Sequence, residues 1–188
     1  MAISAGQAAA ALEEIERTER RTHVSGGYRA ASPYLILWGC IWAVGYAGCG
    51  FFPAGDWGWI WLPLIVVGIG VSVWFGSRAT GARSAKGAAN GWQASIMALA
   101  VMLFIGATCF IFRVADPLPY LVFPALVTGL VYVFAGLLAG LPRLASIGAA
   151  VFLLPLAGYI AAPALTAYWV AAAGGGGLIL GGLWLRQV

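Results

Sequence analysis

The stretch LPYLVFPALVTGLVYVFAGLLAGL, residues 118–141, runs its whole length without a charged side chain. At a rise of ~1.5 Å per residue, a helix of that length outreaches the ~30 Å hydrocarbon core of a bilayer. Five further stretches read the same way: Pro33 to Phe52, Trp57 to Gly76, Trp92 to Phe112, Leu144 to Ala162 and Ala164 to Leu185. With no water available to the backbone, only helices or a closed barrel can span. None of the six alternates with period 2, which selects helices. The expected fold is an all-α integral membrane protein with six transmembrane helices.

Composition supports this reading. The chain is 62% hydrophobic and 9% charged, whereas a soluble domain carries about 25% charged residues to cover its surface. Residues 33–188 read as one six-helix transmembrane domain, preceded by a cytoplasmic N-terminal helix and linker at 1–32. Ser4 with Gln7 suits a capping box, and the alanines after it favour helix. Glu13 with Arg17 and Glu16 with Arg20 are i,i+4 pairs in the favoured order, while Leu12, Ile15, Ala8 and Ala11 supply a thin apolar edge. Met1 to Ala11 is small and uncharged, so no cleavable signal is expected. Ser77 to Gly91 reads as a small, basic loop without a phosphate-binding pattern.

The basic residues sort by loop. Arg17, Arg20, Arg21 and Arg29 precede the first span, Arg78, Arg83 and Lys86 follow the second, Arg143 follows the fourth and Arg186 the sixth. The opposite side holds Asp56, Asp116 and Arg113, the last two expected to anchor a loop at the interface. The positive-inside rule puts both termini in the cytoplasm of a bacterial-type inner membrane. The net charge of +4 follows from this asymmetry and implies no nucleic acid.

A pattern recurs in the second and fourth spans. Trp59, Pro63 and Gly68 are matched by Tyr120, Pro124 and Gly129 at a constant displacement of 61, and Gly45 and Gly106 precede them at equal distance. The sixth span continues it as Tyr168, Ala172 and Gly177. Three helical hairpins in parallel pseudo-repeat follow, since two spans return the chain to the same side. Each proline frees the carbonyl of Trp59 or Tyr120. Those carbonyls either line a polar site near the outer leaflet or accompany a tolerated kink in an aromatic belt, and the second reading is preferred. Ala173, Gly177 and Gly181 form a small-residue face, as do Gly136 and Gly140. Such faces serve contacts inside the bundle in preference to a homo-oligomer interface.

Tyr34, Trp38, Trp42 and Tyr46 make an aromatic ladder down the first span. It is either a face for a flat lipophilic ligand or packing opposite glycine-rich helices, and packing is preferred because no polar groups converge on it. Cys40 and Cys49 point to opposite faces of one helix. Cys49 and Cys109 lie at similar depth, where a disulfide or soft-metal site has a low prior against plain burial. His23 is the sole histidine and precedes the bilayer, which excludes bis-histidine haem ligation within one chain. No span carries the acids or bases that proton-coupled transport and intramembrane hydrolysis place inside a bundle. No catalytic residue, metal or cofactor is expected.

Three glycine-rich hairpins in a chain this short resemble the small six-helix acid-resistance membrane proteins of the HdeD type, over the spans and not over the N-terminal helix; no residue role transfers. The expected function is a non-enzymatic interaction, assembly or regulatory module of the membrane, whose N-terminal helix meets a cytoplasmic or membrane protein partner. The alternative is a transporter or channel for a small neutral or lipophilic solute, with a redox or ligand-binding role for the aromatic ladder third.

Overall fold

The computed structural model describes residues 5–80, 85–112 and 116–187. Among them every element is helical: α1 (Ala5–Phe51), α2 (Trp57–Thr80), α3 (Ala85–Phe112), α4 (Leu118–Leu138), α5 (Pro142–Ala161), α6 (Thr166–Trp169) and α7 (Gly176–Leu185). Short 3-10 turns, Ala54–Asp56 and Pro163–Leu165, lead into α2 and α6. A π-helical stretch, Val170–Gly175, joins α6 to α7, and the three together form the C-terminal helix. Five segments are long and apolar enough to cross a membrane: Ala11–Phe51, Ala54–Arg78, Leu118–Leu138, Pro142–Ala161 and Pro163–Leu185. A shorter apolar run, Ile96–Phe112, lies in α3. The architecture is that of a helical membrane protein.

The helix expected at the N-terminus and the first span are one rod. The linker expected before residue 33 is helical, although Gly26, Gly27 and Pro33 are poor helix formers and Pro33 withholds an N–H from the Arg29 carbonyl. Tertiary contacts override that propensity. The Tyr28 side chain is buried, and its hydroxyl accepts the backbone N–H of Arg143 at 3.2 Å, which satisfies an orphan donor in the first turn of α5. Ser32 donates to the Gly182 carbonyl at 2.7 Å. The expected loop from Ser77 to Gly91 is also corrected: α2 runs on to Thr80 and α3 begins at Ala85. The capping serine, Ser4, and Arg113 lie outside the described residues, as does the side chain of Arg20.

Each long helix packs on the next in sequence, and the C-terminal helix returns to α1. The heaviest contacts join α4 to α5 and α1 to the C-terminal helix. Glycine makes both. A Cβ at Gly148 would stand 2.6 Å from the Val133 nitrogen and 2.7 Å from the Gly129 carbonyl oxygen, and one at Gly175 would stand 2.6 Å from the Ala43 nitrogen. Backbones touch where no side chain intervenes. Gly129 and Gly136 are seven apart, as are Ser32 and Gly39 on α1 and Gly175 and Gly182 on its partner. Seven residues return the chain to the same face after two turns. The core between these helices holds Ala125, Val151, Val170, Leu178 and Leu185, all fully buried.

Gly140, expected on a packing face with Gly136, serves differently. Its φ of 66° lies in the left-handed region, and the Leu141 N–H donates to the Gly136 carbonyl at 2.7 Å. This closes α4 as a Schellman-type turn and reverses the chain into α5.

Candidate functional site

The aromatic ladder of α1 divides between two neighbours. Tyr34 meets Phe75 edge-on with ring centroids 5.9 Å apart, and Tyr46 meets Trp61 at 4.9 Å. Trp38 lies over Gly68, so three rungs face α2. Trp42 instead lies over Gly174 in the π stretch and touches Tyr46 edge-on at 5.5 Å. Every rung thus meets a glycine or another ring of the bundle, and Tyr34 meets both, since its hydroxyl also approaches Gly76. Edge-to-face pairs of this kind add to the burial of the rings themselves.

The far end of the C-terminal helix is held by its two neighbouring aromatics. Tyr168 rests on Gly50 and donates its hydroxyl to the Gly50 carbonyl at 2.9 Å. The Trp169 indole occupies the space over Gly158 that any Cβ there would need, and donates Nε1–H to the Leu154 carbonyl at 2.6 Å. Adjacent residues therefore reach α1 on one side and α5 on the other. Neither was singled out from sequence for this role. All three cysteines are free; Cys40 is exposed and Cys49 buried.

The near end, by the chain termini, is polar. Arg186 donates from Nε to the Ser32 hydroxyl at 3.1 Å, and that hydroxyl donates onward to Gly182. The Arg143 guanidinium lies 4.9 Å from the Trp184 ring centroid, within cation–π range. Tyr28 and Ser32, one turn apart on α1, thus hold Arg143 through its backbone and Arg186 through its side chain. Ser32 was missed in the sequence because serine beside a proline reads as a turn. Its spacing of seven from Gly39 is the signal that marks it.

The remaining expected residues sit in unlike places. Trp59 is 78% exposed on α2, whereas Tyr120 is half-buried on α4. Pro63 and Pro124 both lie inside their helices. Gly68 packs under Ile41 and Trp38 of α1, Gly129 packs against Gly148 and Phe152 of α5, and a Cβ at Gly177 would meet nothing. Of the small-residue face on the C-terminal helix, Gly181 receives the Ile147 side chain of α5, Gly177 is open and Ala173 is half-buried in the π stretch. In the N-terminal segment, Leu12 and Ile15 are 62% and 53% exposed. Arg17 and Glu13 pair there at 3.6 Å. Asp116 caps α4 by accepting the Leu118 N–H at 2.9 Å.

Comparison with protein-family models, with curated proteins and with solved structures finds no match. Function rests on this chain's own residues.

Proposed function

We propose that the chain is a six-span protein of a bacterial-type inner membrane, folded as three hairpins with both termini in the cytoplasm, and that it acts as a non-enzymatic interaction or assembly module through the N-terminal part of α1. One observation carries this reading: α1 presents Leu12 and Ile15 to solvent on a helix that runs unbroken into buried Tyr28 and Ser32. The helix of 47 residues has a contour of ~70 Å, more than twice the hydrocarbon thickness. A partner bound on that edge would be connected to the bundle by continuous helix.

Removing the segment up to Thr22 tests this. It touches little of the core, so the bundle should fold while the copurifying partner is lost. Saturable solute uptake into reconstituted vesicles that survives the truncation would instead promote the transporter. A bulky residue at Gly129 cannot make this distinction, because it would drive α4 from the α5 backbone whatever the function. Orientation is tested separately by reporters fused after Val188, which should be active only in a cytoplasmic format.

A further inference from the structure

One face of α1 is left free by the rest of the bundle. Along the span its other faces are taken: Tyr34, Trp38 and Ile41 lie on α2, and Gly39 and Ala43 on the C-terminal helix. Cys40 and Val44 fall between these neighbours and are exposed. Seven residues make close to two turns, so counting back by sevens from Cys40 keeps the same face through Pro33, Gly26, Glu19 and Leu12. Thr22 and Ile15 fill the intervening turns. Burial follows this line, for Gly26 and Thr22 on it are exposed and Tyr28 off it is buried. The apolar edge at Leu12 and Ile15, 62% and 53% exposed, is therefore collinear with the outward side of the first span.

That collinearity selects the occupant. Lipid covers only part of the line, because Tyr28 already lies beside the first turn of α5 and residues 5–27 carry α1 ~35 Å further. A soluble partner reaches Leu12 and Ile15 but stops at the headgroups. A partner for the whole line is a helix that crosses the membrane and runs on out of it unbroken. In a second copy of this chain, α1 is such a helix.

The residues on the line suit pairing with themselves. A parallel two-fold pair sets each residue against its own counterpart, so charges there oppose it. Glu13, Glu14, Arg17 and Arg21 all lie on the opposite side of the helix, at about 100° per residue. Gly26 has no reason within the chain to be glycine: a Cβ there would meet nothing within 4 Å, whereas one at Gly27 would stand 3.0 Å from Leu141. Glycine is a poor helix former, and its use is close approach of a second backbone. Two charges do fall on the line. Arg29 is long enough to turn its guanidinium aside into water or headgroups. Glu19 opposes association, as a polar residue on a helix seam does while fixing register.

We infer that α1 pairs with α1 of a second copy, in parallel about a two-fold axis along the membrane normal, on the face from Leu12 to Val44. This rests on the reading of the N-terminal edge as an interface and names its partner.

Cysteine cross-linking of the full chain in its membrane tests the pair. With Cys40 as the only cysteine (Cys49→Ala with Cys109→Ala), copper-phenanthroline oxidation should link two copies, and Thr22→Cys in a cysteine-free background should link them too. Both yields should exceed those of Arg21→Cys and Val66→Cys, exposed positions off the line, by roughly tenfold. Gly26→Leu should cut the Cys40 yield roughly fivefold with the monomer folded, since the new side chain blocks only the approach of another helix. Glu19→Leu should raise the Thr22→Cys yield roughly twofold by removing like charge from the seam. Equal yields at the controls would show chance collision and overturn the pairing, as would unchanged linking in Gly26→Leu or a lower yield in Glu19→Leu. Linking at Cys40 without linking at Thr22→Cys would confine contact to the bilayer and overturn the continuous pair. If neither position links while truncation up to Thr22 still removes a different copurifying protein, the edge is an interface and a second copy is not its occupant. If that truncation removes nothing, both readings fall.

Discussion

The pair formed by α4 and α5 and the flanking pair formed by α2 and α3 have similar compositions and opposite construction. In the first, Gly129, Gly136 and Gly148 each lie against the backbone of the facing helix. In the second, Gly70 and Gly106 meet nothing, and large side chains such as Val66, Val73, Leu103 and Phe110 are more than half exposed. In lipid, apolar area alone does not draw helices together, because acyl chains are as apolar as leucine. Cohesion therefore depends on where backbones can touch. Glycine content does not report this; glycine placement relative to a facing glycine or alanine does.

Four substitutions probe that contrast, in order of expected effect on unfolding in mixed micelles. Gly148→Ala should cost at least about 3 kcal/mol, since two backbones must separate to admit the methyl and overpacking is penalised accordingly. A loss below about 1 kcal/mol would show that α4 and α5 are not in close contact. Gly158→Ala should cost about 2 kcal/mol by evicting the Trp169 indole and its hydrogen bond to Leu154. Trp169→Phe, which keeps the ring and loses the donor, should cost about 1 kcal/mol. If Trp169→Phe equals Gly158→Ala, the hydrogen bond and not the fit of the ring holds the C-terminal helix to α5. Gly106→Ala should be neutral or should stabilise by up to about 1 kcal/mol, through helix propensity alone. A large loss there would mean that α3 packs against something beyond the chain.

Much of the helical layout is legible in the sequence, because uncharged apolar runs of membrane length have one backbone solution. One end follows closely: the first run is read to Phe52 and α1 ends at Phe51. What could not be read depends on partners distant in sequence. Gly26, Gly27 and Pro33 signal a break that Tyr28 and Ser32 prevent by bonding to residues more than a hundred positions away. The π stretch from Val170 to Gly175 runs into four consecutive glycines, Gly174 to Gly177, which weaken an ordinary helix without specifying how it winds. Periodicity aligned Gly68, Gly129 and Gly177, yet they face α1, α5 and open space respectively. The polar cluster of Ser32, Arg143 and Arg186 escaped for the same reason. Its members are commonplace alone, and only the crossing of α1 with the C-terminal helix brings them together.

That crossing is where the account is most exposed. In a background lacking Cys40, Cys49 and Cys109, cysteines replacing Trp42 and Gly174 should join on mild oxidation in the membrane, because a Cβ at Gly174 stands 3.3 Å from the Trp42 ring, which the substitution removes, and a disulfide needs facing positions with Cα atoms within about 7 Å. The account predicts an intramolecular bond in high yield, identified by mass spectrometry of the linked peptides. A control pair replacing Gly70 and Gly106 should stay reduced. Failure of the 42/174 pair to link, or linking no better than the control, would contradict the closure of the bundle by α1 and the C-terminal helix.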